Sequence, residues 1–130
     1  MASEAIWLCD ERDSARFFAP IFDANAAEQL IVAHLAADRR VLGTGSYLSQ
    51  CPVSINVPLR ELIGDMLRYD SKAMVIAHSH PSGDPVPSEA DIEITHQIAG
   101  MLRPLGIRLL DHLVFAEGGE WTSFRRIGWL

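Results

Sequence analysis

Apolar positions change their spacing several times along the chain, and each change marks an element. Residues 12–23, RDSARFFAPIFD, read as a short first helix. Pro20 falls inside it and breaks or kinks it, because proline lacks an amide hydrogen and clashes with the preceding turn. EQLIVAHLA at 28–36 is an apolar run of strand length that ends at the polar turn Asp38-Arg39-Arg40. RVLGTGSYL at 40–48 supplies a hairpin partner, weakened by two glycines. Segment 49–57 is irregular, with a short strand expected at 53–57.

The second half is plainer. In PLRELIGDMLRY (58–69), Leu59, Leu62, Ile63, Met66 and Leu67 fall at i, i+3, i+4, i+7 and i+8, a helical stripe, and Pro58 suits a first helical turn. AMVIA (73–77) is apolar without alternation, as in a strand buried on both faces, and it ends directly at His78. A helix follows from Ser88 to about Arg103. Ser88 suits the N-cap, Glu89 and Asp91 the first turn, and Pro104 with Gly106 the stop. Its stripe is Ile94, Ile98, Met101 and Leu102, with Asp91 at the head, where a carboxylate needs a reason. GIRLLDHLVFA (106–116) reads as another strand, and EWTSF (120–124) closes a hairpin with it across Glu117-Gly118-Gly119. The order is helix, two strands, helix, central strand, helix, two strands. It predicts one α/β domain over residues 1–130: a mixed-sheet sandwich with helices on both faces and no place for a linker.

Composition adds exclusions. The chain is 48% hydrophobic and 22% charged, ordinary for a soluble domain. No apolar run approaches the roughly 20 residues of a membrane span, and Met-Ala-Ser-Glu lacks the basic start of a secretory signal. A cytoplasmic protein with no membrane partner is expected. A net charge of −6 does not suit wrapping of a phosphate backbone, so nucleic acid is not an expected partner of this domain. Arg39-Arg40 and Arg125-Arg126 read as solvated charges. Cys9 and Cys51 form no CxxC, which gives no support to a zinc ribbon or thiol redox motif, and a disulfide is not expected in a cytoplasmic chain.

The chemistry gathers in AHSHPSGDPVPSEAD (77–91). His78 and His80 are two apart in a strand and point to one side, at the strand end where ligands of α/β sheets collect. The Pro-Gly loop reverses the chain, and the next helix brings Asp91 toward the same point. Two histidines and one carboxylate make three zinc ligands with a fourth position open, as in a catalytic site. A hydrolase also needs a proton carrier. Glu28, Glu61, Glu89, Glu93 and Asp84 are candidates. Glu28 is best placed, since it opens the strand at 30–35 expected beside the histidine strand. Ser88 either caps its helix alone or also donates to an oxyanion. Without a metal, Ser88 as an N-cap and Asp91 as a helix-dipole residue explain the helix start; Asp84 reads as a turn residue. His34, His96 and His112 are isolated and read as structural.

The spacing His78-x-His80, seven residues, Ser88, two residues, Asp91 is the H-x-H-x(7)-S-x(2)-D pattern of the JAMM (MPN+) metalloproteases. AHSHPSGDPVPSEADIEIT and LGIRLLDHLVF further resemble the RadC branch of that superfamily. The resemblance spans about residues 12–128 and is strongest over 73–115. It implies an MPN/JAB-like fold and one zinc ion per chain held by His78, His80 and Asp91. It makes Glu28 the catalytic glutamate and Ser88 the serine that helps polarise the scissile carbonyl. The implied reaction is hydrolysis of a peptide, isopeptide or other amide bond in a protein or peptide substrate by a metal-activated water. Three features differ from the RadC pattern. Ser79 stands where many RadC proteins have Asn, and GTGSYLSQC replaces an acidic, Phe-containing stretch. The N-terminal helix-hairpin-helix region is not expected here, which removes the usual argument for DNA contact. The alternative function is a non-catalytic MPN-type scaffold binding a protein or nucleic-acid partner, although such relatives commonly lose zinc ligands and this chain has them all. Nucleobase deamination is set aside because the chain has neither H-x-E nor P-C-x-x-C. Oligomeric state is open: Ile127, Trp129 and Leu130 could pair two copies, but packing on the domain is favoured.

Overall fold

In the computed structural model, which describes residues 4–22, 29–48, 58–80 and 84–130, the elements follow the expected order. They are α1 (Glu11–Phe18), β1 (Gln29–Leu35), β2 (Val41–Leu48), α2 (Leu59–Tyr69), β3 (Ala73–His80), α3 (Glu89–Leu102), β4 (Arg108–Ala116), β5 (Trp121–Ser123) and α4 (Phe124–Ile127). The strands form one mixed sheet in the order β2-β1-β3-β4-β5. β3 is central, antiparallel to β1 and parallel to β4, with α3 making the crossover between β3 and β4. The expected strand at 53–57, Cys51 and Glu28 lie outside the described residues.

Strand parity splits the apolar side chains into two cores. Ile31, Ala33, Leu35, Ala73, Val75 and Ala77 pack with Phe18 of α1 on one face. Leu30, Val32, Met74 and Ile76 pack with Leu62 and Met66 of α2 and Ile98 and Leu102 of α3 on the other. Helices therefore cover both faces, which is why β3 can be apolar throughout. The same parity assigns positions 78 and 80 to the face covered by α2 and α3.

β4 carries a bulge. Met74 pairs with Leu109 but Val75 pairs with Asp111, so Leu110 is an extra residue. Leu110 and Leu113 consequently share the α1 face, and His112 turns toward α3. Asp111 instead secures the β5–α4 corner, accepting from Ser123 Oγ at 2.5 Å and from the amides of His112 and Arg125. Burial raises its carboxyl pKa despite those bonds.

Several local expectations shift. α1 gives way at Ala19–Ile21 to a 3-10 turn containing Pro20, as the proline requires. β3 outlasts its apolar run by three residues, because pairing with β4 continues to His80↔Ala116. On α2 only Leu62 and Met66 are buried, while Leu59 and Leu67 are exposed. On α3 the buried line is Asp91, Thr95, Ile98 and Leu102, with Ile94 and Met101 half-buried beside it. α4 was not foreseen; Ser123 caps it and Gly128 closes it at φ 89°. Leu130 packs on the α2/α3 core, whereas Ile127 and Trp129 remain exposed. Among the described residues no helix is long and apolar enough to cross a membrane.

The glycines of β2 have a reason beyond propensity. A Cβ at Gly43 would lie 2.3 Å from the Tyr69 ring, and one at Gly45 would lie 2.8 Å from the Tyr47 hydroxyl. Gly43→Ala is expected to destabilise by about 1–3 kcal/mol through overpacking. Gly100→Ala, on α3 with nothing within 4 Å, should be stabilising by up to about 1 kcal/mol. Urea unfolding of both variants checks the contrast.

His34 is fully buried, with Nδ1 2.8 Å from Ser71 Oγ and its ring against Tyr69. Burial pushes its imidazole pKa below the ordinary value. The unfolded chain then binds a proton that the folded chain resists. The contribution to stability is complete above about pH 6.5 and is lost as pH falls below it toward the depressed folded value. Melting temperature should therefore drop between about pH 7.5 and about pH 5, less steeply in His34→Asn, which does not titrate there.

Candidate metal centre

The end of β3 and the start of α3 meet on the α2/α3 face of the sheet. His78 lies opposite Leu30 of β1 and Val114 of β4, and is 1% exposed. The His78 and His80 rings stand edge-on with centroids 4.7 Å apart, so the i, i+2 spacing brings both imidazoles to one point.

Asp91 reaches that point from the first turn of α3. The turn is a reciprocal cap: Ser88 Oγ accepts from the Asp91 amide at 3.1 Å, and Asp91 Oδ2 accepts from the Ser88 amide at 2.8 Å. The cap thereby fixes the carboxylate as well as the helix. Oδ2 also lies 2.9 Å from His80 Nε2, and Oδ1 lies 3.2 Å from His78 Nδ1. Asp91 is 3% exposed. Burial alone would raise its pKa, but hydrogen bonds from His78, His80 and the Ser88 amide outweigh it and hold the carboxyl well below the usual range. The site therefore contains a buried carboxylate anion.

The donor set fits a metal ion. One ligand atom from each of His78, His80 and Asp91 falls within 4.8 Å of the others. His80 Nδ1 lies 2.9 Å from the Asp84 carbonyl oxygen, which only accepts, so that nitrogen carries a proton. In the neutral ring Nε2 is then a lone pair facing the Asp91 oxygen. That contact calls for a positive charge between them, either a second ring proton or a cation. Orientation of a histidine through its other nitrogen is a regular feature of metal sites. Asp84, which also accepts from the Val86 amide through its side chain, is the turn residue the sequence suggested, and its carbonyl aims His80 as well.

Two residues stand behind the cluster; sequence reasoning missed Thr95 and read His112 only as an isolated structural histidine. Thr95, one helical turn after Asp91, donates to the Asp91 carbonyl at 2.6 Å. Its single proton is then committed, so His112 Nδ1–H donates to the Thr95 oxygen at 2.6 Å. His112 is fully buried and stacks on Phe124 at 4.5 Å, with its ring centroid 6.2 Å from that of His78. Burial, with a smaller contribution from His78, takes its pKa down to about 3 and keeps it neutral. His112 is structural, as expected, but it supports this site in particular. The i+4 spacing from Asp91 to Thr95 was the available signal.

The other candidates fall elsewhere. Glu28 lies outside the described residues, although Gln29 directly after it is described. Ser88 is exposed, and the cap uses a lone pair of its hydroxyl but not the proton. Glu61, Glu89, Glu93 and Asp84 are exposed, and their carboxylates are not part of the group. His34 sits near the opposite end of the β1–β3 ladder, and His96 Nε2 donates to the Trp129 carbonyl. Cys9 is free and exposed.

A family model described as a RadC-like JAB domain matches residues 8–129. The chain is 38% identical over 123 residues to the UPF0758 protein STH371 of Symbiobacterium thermophilum, covering 95% of this chain and 52% of that protein. It is 32% identical over 123 residues to the UPF0758 protein XAC3915 of Xanthomonas axonopodis pv. citri, covering 95% and 54%. The chain thus spans about half the length of the curated relatives it matches.

Thr95→Val keeps the side-chain volume but strands the buried His112 N–H. A loss of about 1–3 kcal/mol in urea unfolding is expected. Thr95→Ser, which keeps the hydroxyl, should lose less.

Proposed function

The chain belongs to the RadC-like JAB domain family, and from that premise we propose that it is a zinc-dependent hydrolase of peptide or isopeptide bonds. The observation that carries the reading is the buried Asp91 carboxylate facing two imidazoles, with His80 aimed through the Asp84 carbonyl. In this reading His78, His80 and Asp91 hold one zinc ion and leave a fourth position open. Zinc in such a site supplies a Lewis acid that makes water a usable nucleophile near neutral pH.

The chain's own groups supply the rest. Glu28, one residue ahead of β1, takes the proton of the attacking water and returns it to the leaving amine. Ser88 donates its uncommitted hydroxyl proton to the carbonyl oxygen as charge develops there. Its amide meanwhile holds Asp91 Oδ2, so one capping residue serves both parts of the site. The substrate class is a protein or peptide; a net charge of −6 gives no support to a nucleic-acid substrate.

Elemental analysis of protein purified without chelator should find about one zinc per chain, lost in His80→Ala. Glu28→Gln should keep the zinc and lose cleavage by about 10²–10⁴-fold. Full activity in Glu28→Gln would remove Glu28 from the mechanism. Absence of metal from the wild type, even with zinc supplied, would leave the non-catalytic scaffold as the reading of this domain.

A further inference from the structure

We propose that Thr95 and His112 are positioning residues for the metal ligands, tying the helix that carries Asp91 to the sheet that carries the histidines. The proposal rests on the metal-binding part of the reading above and not on the reaction. The tie has two bonds in series. The Thr95 hydroxyl donates to the Asp91 carbonyl at 2.6 Å, and His112 Nδ1–H donates to the Thr95 oxygen at 2.6 Å. Thr95 and His112 are fully buried, so water does not compete for either bond. His112 lies on β4 opposite Ile76 of β3, two residues before His78. The chain of bonds therefore runs from the peptide group of one candidate ligand to the sheet just below another.

Two observations separate this role from ordinary core packing. Further along α3, Ile98 and Leu102 meet the sheet through apolar contacts with residues such as Met74 and Ile76. Apolar burial is non-directional: it holds the layers together but does not fix how far the helix slides over the strands. A short hydrogen bond does fix it, and this one acts one turn below Asp91. Zinc needs its nitrogen and oxygen ligands at about 2.0–2.2 Å, so a small slide of the helix would take Asp91 out of range. The second observation is a cost. His112 Nε2 is buried and has no hydrogen-bond partner among the described residues. Leaving a buried polar nitrogen unpaired is unfavourable, and a phenylalanine could stack on Phe124 without it. What the imidazole adds over a hydrocarbon ring is the Nδ1–H that Thr95 accepts.

The test uses the full chain with zinc and with cobalt(II), well below the unfolding midpoint of each variant. Competition against a chromophoric chelator gives the zinc affinity, and the visible absorption of bound cobalt reports coordination geometry. Thr95→Val and His112→Phe should each weaken zinc binding about 10–100-fold and change the cobalt spectrum. Thr95→Ser, which keeps the hydroxyl, and His112→Asn, which keeps an N–H near the Nδ1 position, should recover most of both. The double variant Thr95→Val/His112→Phe should bind no more weakly than the weaker single variant, since both break one chain of bonds. Ile98→Val trims the apolar part of the same helix. It should lower the unfolding midpoint and leave zinc affinity and the cobalt spectrum unchanged. Unaltered affinity and spectrum in Thr95→Val and His112→Phe would overturn the proposal. So would additive losses in the double variant, or an equal loss in Ile98→Val, which would reduce the effect to stability alone. A wild-type chain that takes up neither metal would overturn the metal reading and this proposal together; the other failures would overturn this proposal and leave the metal reading standing.

Discussion

A buried carboxylate is costly unless each oxygen is given a partner, and the end of the sheet is organised around meeting that condition for Asp91. Its Oδ2 takes the Ser88 amide and faces His80, and its Oδ1 faces His78. Those partners require α3 to begin at Ser88 and β3 to run on past its apolar residues to His80. They also require Asp84 to present its carbonyl to the His80 ring. Removing the carboxylate would leave two imidazoles facing one another across a desolvated gap, with no anion to balance a cation between them.

The frame of this arrangement was legible in the sequence because two periodicities are hard to mistake. Continuous apolarity in AMVIA specifies a strand covered on both sides, and the residues after it inherit its parity. Ser88 with Asp91 three residues on is a reciprocal cap in pattern as well as in fact. The strand order around β3 follows from pairing 30–35 beside the histidines, which the apolar run beginning after Glu28 already suggested.

What was not legible depended on partners remote in sequence. Leu59 and Leu67 fit a helical stripe, yet α2 buries only the narrower line of Leu62 and Met66. On α3 the buried line admits Thr95 ahead of Ile94, because the polar residue has His112 to bond and the apolar one has only an edge to cover. The glycines of β2 read as weakness; the rings of Tyr69 and Tyr47 show close approach instead. His112 looked isolated because its partner lies seventeen residues away on another element.

Leu110 gives β4 a property that no single contact conveys. The strand alternates in and out, and the one added residue shifts the phase of everything after it. Strict alternation through Leu110, with no bulge, would preserve the composition of the strand intact. It would nevertheless put Asp111 in place of His112 on the side facing α3, setting a second anion behind the imidazoles in competition with Asp91. The bulge, and not the order of residues alone, therefore decides which of the two side chains stands behind the metal-binding cluster.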